Sequence, residues 1–201
     1  MFVQVIQGRA KDAGGLRKQW DKWNQEVKPE AIGYLGSTGG VTPDGEWIVV
    51  ARFESEELAM KNNGNAKQDA WWQETSQYID SPMFHNCTEV DEQGGGSDDA
   101  GFVQVIQGKT KDVARSRQID AGIEESMKGL RPDVIGSITA WHPENGRFTN
   151  VIYFTSESEA RAKEKEMEKE PRFQEIMNEM MELSDGEPKF LDLPEPWLSS
   201  K

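Results

Sequence analysis

The sequence predicts an α+β protein made of two tandem βαββαβ units, and three observations predict it. A seven-residue segment recurs unchanged: Phe2-Val3-Gln4-Val5-Ile6-Gln7-Gly8 returns as Phe102-Val103-Gln104-Val105-Ile106-Gln107-Gly108. Each half then runs through the same order of hydrophobic periodicities, from alternating to helical and back. A Gly-rich, acidic stretch, Gln93-Gly94-Gly95-Gly96-Ser97-Asp98-Asp99, separates the halves. The expected organisation is therefore a first unit over 1–92, a linker over 93–100 and a second unit over 101–201. A coil of that length reaches only about 15 Å, so it holds the units as neighbours.

The repeat extends well beyond its opening. Lys11-Asp12 matches Lys111-Asp112, Pro29 matches Pro132, Phe53 matches Phe154, and Phe84 matches Phe190. The offset drifts from 100 to 103, 101 and then 106, which places insertions in loops, where they are tolerated.

Residues 2–7 alternate and are β-rich, so they read as a strand. Asp12 and Asp112 are suited to cap the following helices. In unit one the apolar face is Leu16, Trp20, Trp23 and Val27; in unit two it is Ile119, Ile123, Met127 and Leu130. Hairpins follow over about 31–41 and 46–54, then 134–141 and 147–154. They turn at Asp44-Gly45 and Asn145-Gly146, which supply the positive φ that tight hairpins need. A second helical region starts at the capping signals Ser55 and Ser156. It is broken at Asn62-Asn63-Gly64 in one unit and at Pro171 in the other. A last short strand covers about 83–89 and 189–193. The order gives an antiparallel sheet with both helices on one face, the ferredoxin-like arrangement. The other face must also be covered, because Val3 and Val5 point opposite to Phe2 and Ile6. The expected cover is the second unit's sheet, giving two units packed sheet to sheet as an intrachain pseudo-dimer, monomeric in that sense.

The net charge of the 201-residue chain is −13, with −8 in residues 1–100 and −5 in residues 101–201. Both halves repel phosphate backbones and anionic lipid surfaces, so neither nucleic acid nor a membrane is an expected partner. Cys87 is the only cysteine, which rules out an internal disulfide and fits a reducing cytoplasm. No signal peptide or membrane span is expected.

On these features, together with the Ser55-Glu56-Glu57 start of the second helix and the FVQVIQG opening at Met1, the sequence resembles the antibiotic biosynthesis monooxygenase family of the dimeric α+β barrel superfamily. Within it, the likeness is strongest to tandem-repeat members from actinobacteria. The resemblance covers both units. It implies a pseudo-dimeric α+β barrel and small-molecule chemistry, in a superfamily of cofactor-free oxygenases, haem-degrading enzymes and isomerases.

Comparison of the repeats picks out candidate site residues. Trp72 pairs with Phe173 and reads as core, whereas Trp71 pairs with Arg172 and lies at the edge of the apolar stripe, placed to roof a pocket. The same offset pairs Thr75 with Ile176 and Ile79 with Met180. His85 replaces Leu191 and is the candidate proton-transfer group, or else a hydrogen-bonded core histidine. His142 reads as an exposed residue beside Pro143 at a hairpin tip. Cys87 pairs with Leu193 and reads as a small buried hydrophobe. The run Gly36–Gly40 lacks the lysine of a phosphate loop.

The haem-degrading branch that the resemblance brings in uses an amide residue near the first strand with a tryptophan and a histidine of the second helical region. This chain offers Gln7, Trp71 and His85, but with Gln for Asn and with the histidine on the last strand. No cofactor is therefore predicted, with haem left open. The expected function is cofactor-independent monooxygenation of an aromatic substrate, with His85 as base, Trp71 and Trp72 as walls and Gln7 as polar anchor. The alternative is a non-catalytic small-molecule-binding or stress-associated module. Five of the seven tryptophans fall in unit one, so the larger interior pocket is expected there.

Overall fold

The computed structural model describes residues 1–127, 129–142 and 145–201, with 124–127 as backbone only. Met127, assigned to a helix face, and Pro143, assigned to a hairpin tip, fall outside the side chains and residues so described. The chain divides into two units: residues 1–90 with 195–201, and residues 91–194.

Unit one runs β1 (Phe2–Ala10), α1 (Ala13–Lys22), β2 (Tyr34–Val41), β3 (Glu46–Phe53), α2 (Glu56–Asn62), α3 (Ala66–Thr75) and β4 (Ile79–Cys87). Unit two runs β5 (Glu89–Gln93), β6 (Phe102–Lys109), α4 (Val113–Met127), β7 (Val134–His142), β8 (Arg147–Phe154), α5 (Glu157–Met167), α6 (Pro171–Leu183) and β9 (Lys189–Leu193). The chain closes with β10 (Trp197–Ser200). Each unit thus holds the predicted βαββαβ order, and each sheet gains a fifth strand that was not predicted. The sheet orders are β10-β2-β3-β1-β4 and β5-β7-β8-β6-β9. The pairings of β1 with β3 and β4, and of β6 with β8 and β9, are antiparallel. The last seven residues, expected in the second unit, group with the first, because β10 pairs along β2 from Trp197 opposite Gly39 to Ser200 opposite Gly36.

The local chemistry explains most boundaries. Ser55 accepts from the Leu58 N–H and Ser156 from the Glu159 N–H, so both capping signals act as such. Asp112 accepts from the Arg115 N–H at 2.9 Å. Asp12 occupies the N-cap of α1 but its side chain makes no cap bond. Gly45, at φ +90°, turns the first hairpin. Pro171 opens α6 at a position where its missing N–H is not needed.

Two expectations fail. Leu130 is 45% exposed, since α4 ends at Met127 and Gly129 turns the chain away at φ +84°. Ile79 opens β4, whereas Met180 still lies in α6; the helix of unit two is longer, so the repeat offset shifts inside it.

In unit one, Leu16, Trp20 and Val27 are buried as the stripe predicts. The helix widens into a π-helical turn over Trp23–Val27, and the Trp23 ring lies 4.9 Å from that of Tyr34 on β2. Gly39 lets Trp20 approach: a Cβ there would lie 3.1 Å from the indole edge. The glycine-rich run is thus part of a buried strand. Among the described residues, no helix is long and apolar enough to cross a membrane.

Candidate functional site

Side chains alternate along β1, so Phe2, Gln4 and Ile6 face the helices and Val3, Val5 and Gln7 face away. Register extends that assignment across the sheet. Ile6 lies opposite Val49, and Gln4 opposite Ala51, so Trp47, Val49, Ala51 and Phe53 share the helix-facing side. Tyr34, Ser37 and Trp197 join them through β2 and β10.

Between this face and the helices unit one holds a partly open cavity of about 70 Å³. Gln4, Ile6 and the helix-facing residues of β3 form its floor. Leu16, Trp20, Trp23 and Trp71 form its roof, and Trp197 closes one side. The indoles hold each other in edge or tilted contact: Trp23 and Trp71 at 6.4 Å, Trp20 and Trp197 at 5.9 Å between ring centroids. Their polar edges are mostly tied down. Trp23 Nε1 donates to Gln68 Oε1 at 2.9 Å, and Trp71 Nε1 to the Gln19 carbonyl at 2.8 Å. Asn62 braces the loop below, donating to the Ile32 carbonyl and accepting from its N–H. The Tyr34 hydroxyl lies 2.6 Å from Ser37 Oγ. Trp47 Nε1 is buried and has no hydrogen-bond partner among the described residues.

Among the described residues that line the cavity there is no charged side chain, no histidine and no cysteine. It is suited to hold a neutral, flat, apolar molecule against aromatic walls. It offers no carboxylate, imidazole or amine to move a proton.

The predicted site residues separate. Trp71 lines the cavity. Trp72 is partly buried against the core beside it, its ring 5.1 Å from that of Phe84, and does not line it. His85 lies directly opposite Val5 and so shares the far side of the sheet with Val3, Val5 and Gln7. The structure therefore corrects the expected site: His85 and Gln7 face away from the cavity that Trp71 roofs. The same geometry keeps Gln7, Trp71 and His85 from converging on one haem. Cys87, opposite Val3, is buried, and burial pushes its thiol up to about 12, leaving it an inert apolar filler. His142 is half-buried on β7, opposite Arg147, instead of exposed.

Unit two keeps the amide hydrogen bond at the matching positions, Gln104 donating to Asp192 at 2.8 Å as Gln4 does to Asn86 at 3.0 Å, but adds charge: Asp192 is paired with Arg161, whose guanidinium sits 5.1 Å over Phe102. Arg161 takes the place of Met60, so a charged cluster occupies the region that is uncharged in unit one. Unit two also has a surface groove along Pro132, Asp133, Thr155, Glu159, Ala162 and Lys163, of about 230 Å³. By volume alone the larger pocket is therefore in unit two, against expectation. That groove is the more open of the two and has no aromatic residue in its lining, and the aromatic-walled cavity is the one in unit one.

Sequence reasoning missed Gln4, Tyr34, Trp47 and Trp197. The parity of β1 was a usable signal for Gln4. None existed for Trp197, which reaches unit one through an unpredicted strand.

No protein-family model and no curated protein sequence matches the chain. Solved structures do. A candidate monooxygenase of Fusobacterium nucleatum subsp. nucleatum ATCC 25586 is 10% identical, with 100% of this chain and 94% of that chain covered at a TM-score of 0.77. A candidate monooxygenase of Lactobacillus acidophilus NCFM is 11% identical, covering 99% and 96% at 0.74. An anthrone oxidase-like protein is 8% identical, covering 100% and 91% at 0.67. Along its whole length the chain has the fold of the antibiotic biosynthesis monooxygenases, built from ferredoxin-like α+β units.

Proposed function

We propose that unit one binds a neutral, flat aromatic small molecule between its sheet and its helices, and that unit two is scaffold. The observation that carries this reading is the cavity walled by Trp20, Trp23, Trp71 and Trp197 with no charged side chain among its described lining residues. Aromatic walls supply area and face-edge contacts to an aromatic ligand, and the lack of charge disfavours an ionic one.

A second reading, cofactor-independent oxygenation of the bound molecule, is favoured by the whole-length likeness to an anthrone oxidase-like protein. In that reading the substrate supplies its own electrons to oxygen. The Tyr34–Ser37 hydroxyl pair is then the proton-handling group in place of His85.

Calorimetric titration with indane tests the first reading. Binding is expected, with Trp71→Ala weakening it by about tenfold or more, as for a buried aromatic anchor. His85→Leu, which copies Leu191 of unit two, is expected to leave affinity within about twofold and to cost no more than about 1–2 kcal/mol of stability. No binding, or loss through His85→Leu with Trp71→Ala silent, contradicts the proposal. Oxygen uptake with anthrone above its spontaneous rate supports the second reading, and its absence removes it.

A further inference from the structure

Arg52 stands on β3 opposite Val3, on the side of the sheet that faces away from the aromatic cavity. It is 8% exposed, and among the described residues it makes no hydrogen bond, ion pair or ring contact. Of its guanidinium nitrogens only Nε is sealed off, so the Nη edge is the part that can be reached. The other cations at this corner of unit one are committed. Lys28 Nζ donates to Ser199 Oγ at 3.1 Å and to the Ser200 carbonyl, and Lys201 pairs with Glu54 at 3.3 Å. An arginine keeps its proton inside a protein, so burial cannot neutralise it. A cation withdrawn from water without a counter-charge destabilises the fold, and a native chain that keeps one calls for an explanation.

The chain also leaves room for it. Gly36, opposite Arg52 on β2, sits beside the bulge of that strand at φ +151°, and a Cβ there would collide with Arg52 Nη2. Glycine inside a strand marks such a close approach. Packing alone does not ask for a cation at this position. In unit two the residue opposite both Val103 and Gly136 is Tyr153, a ring that is 1% exposed.

We propose that Arg52 anchors an anion site on this face of unit one, separate from the aromatic cavity, and that its ligand is a small carboxylate. The paired Nη nitrogens present N–H groups to both oxygens of a carboxylate at once. A single cation balances a single negative charge. The second charge of a phosphate or sulfate would find Lys28 and Lys201 already engaged.

Sodium acetate is the probe, with sodium chloride at equal ionic strength as the control. The Arg52 Nε resonance of the natural chain is followed in proton–nitrogen-15 spectra, assigned through bonds to its own backbone, so no variant has to fold. A saturable shift is expected with acetate, half-complete at about 1–10 mM, and none with chloride. Arg52→Lys keeps the charge and loses the fork. The acetate concentration that raises its melting temperature is expected to be about tenfold higher than for the natural chain. A resonance indifferent to acetate, or moved equally by chloride, overturns the proposal. Tighter binding of sulfate than of acetate, or equal stabilisation of Arg52→Lys by acetate, overturns it as well.

Discussion

Removal of residues 195–201 is expected to destabilise unit one by about 3–5 kcal/mol and to abolish ligand binding, an effect on the scale of losing one buried tryptophan. Trp197 is 7% exposed, packs with Leu16, Trp20 and Trp47, and lies under the Arg17 guanidinium at 5.8 Å. The strand that carries it is held at several points. Lys28 Nζ donates to Ser199 Oγ at 3.1 Å and to the Ser200 carbonyl, and Ser199 Oγ donates to Asn24 Oδ1 at 2.5 Å. Deletion also bares the edge of β2, whose N–H and C=O groups would need other partners. Urea unfolding followed by tryptophan emission measures the loss. Trp197→Ala, which keeps the strand, is expected to account for most of it. A truncated chain with an unchanged midpoint and intact indane binding contradicts the placement of β10 as a wall of the site.

Asp120→Asn is expected to stabilise unit two at pH 7 by about 1–3 kcal/mol and to have little effect near pH 4. Burial on α4, with the Asp91 carboxylate nearby as a smaller cause, pushes the Asp120 carboxyl up to about 6. Asp91 itself is committed elsewhere, to Arg117 at 2.5 Å and to Trp141 Nε1 at 2.7 Å. A carboxyl whose folded value is raised favours the fold while protonated. Its contribution is fully present below the unfolded value and is lost as pH rises through about 6. Exposed carboxylates such as Glu74 and Asp185, lowered by hydrogen bonds from Lys22 and Lys109, act in the opposite direction. The quantity to measure is therefore the difference between the variant and the natural chain at each pH. A difference that does not grow between pH 5 and pH 7 removes the argument.

The fold was legible wherever a local signal coincided with its tertiary outcome. Ser55 and Ser156 cap helices because their side-chain oxygens meet N–H groups that any helix start leaves free. Gly45 turns a hairpin because the turn needs its backbone. The fifth strands were not legible. Glu89–Gln93 is short and largely polar and Trp197–Ser200 has only four residues, and they become strands only by pairing with β7 and β2.

The site was half legible for a similar reason. Aligning His85 with Leu191 is borne out by register, since they stand opposite Val5 and Val105. Which face that places them on depends on pairing with β1, where one residue of slip reverses every side chain. The concentration of tryptophan in unit one coincides with the aromatic-walled cavity, although the groove of unit two holds more space. Their convergence on one cavity needed the π-helical turn at Trp23 and the arrival of Trp197.

The central claim is that the indole-walled cavity of unit one takes a neutral aromatic molecule. The most direct measurement is the anomalous scattering of bromine in crystals of the full chain grown with 5-bromo-1-indanone. The account predicts one strong bromine peak surrounded by Trp20, Trp23, Trp71 and Trp197. A cavity without bromine at saturating ligand, or a peak only in the surface groove beside Pro132 and Lys163, contradicts it.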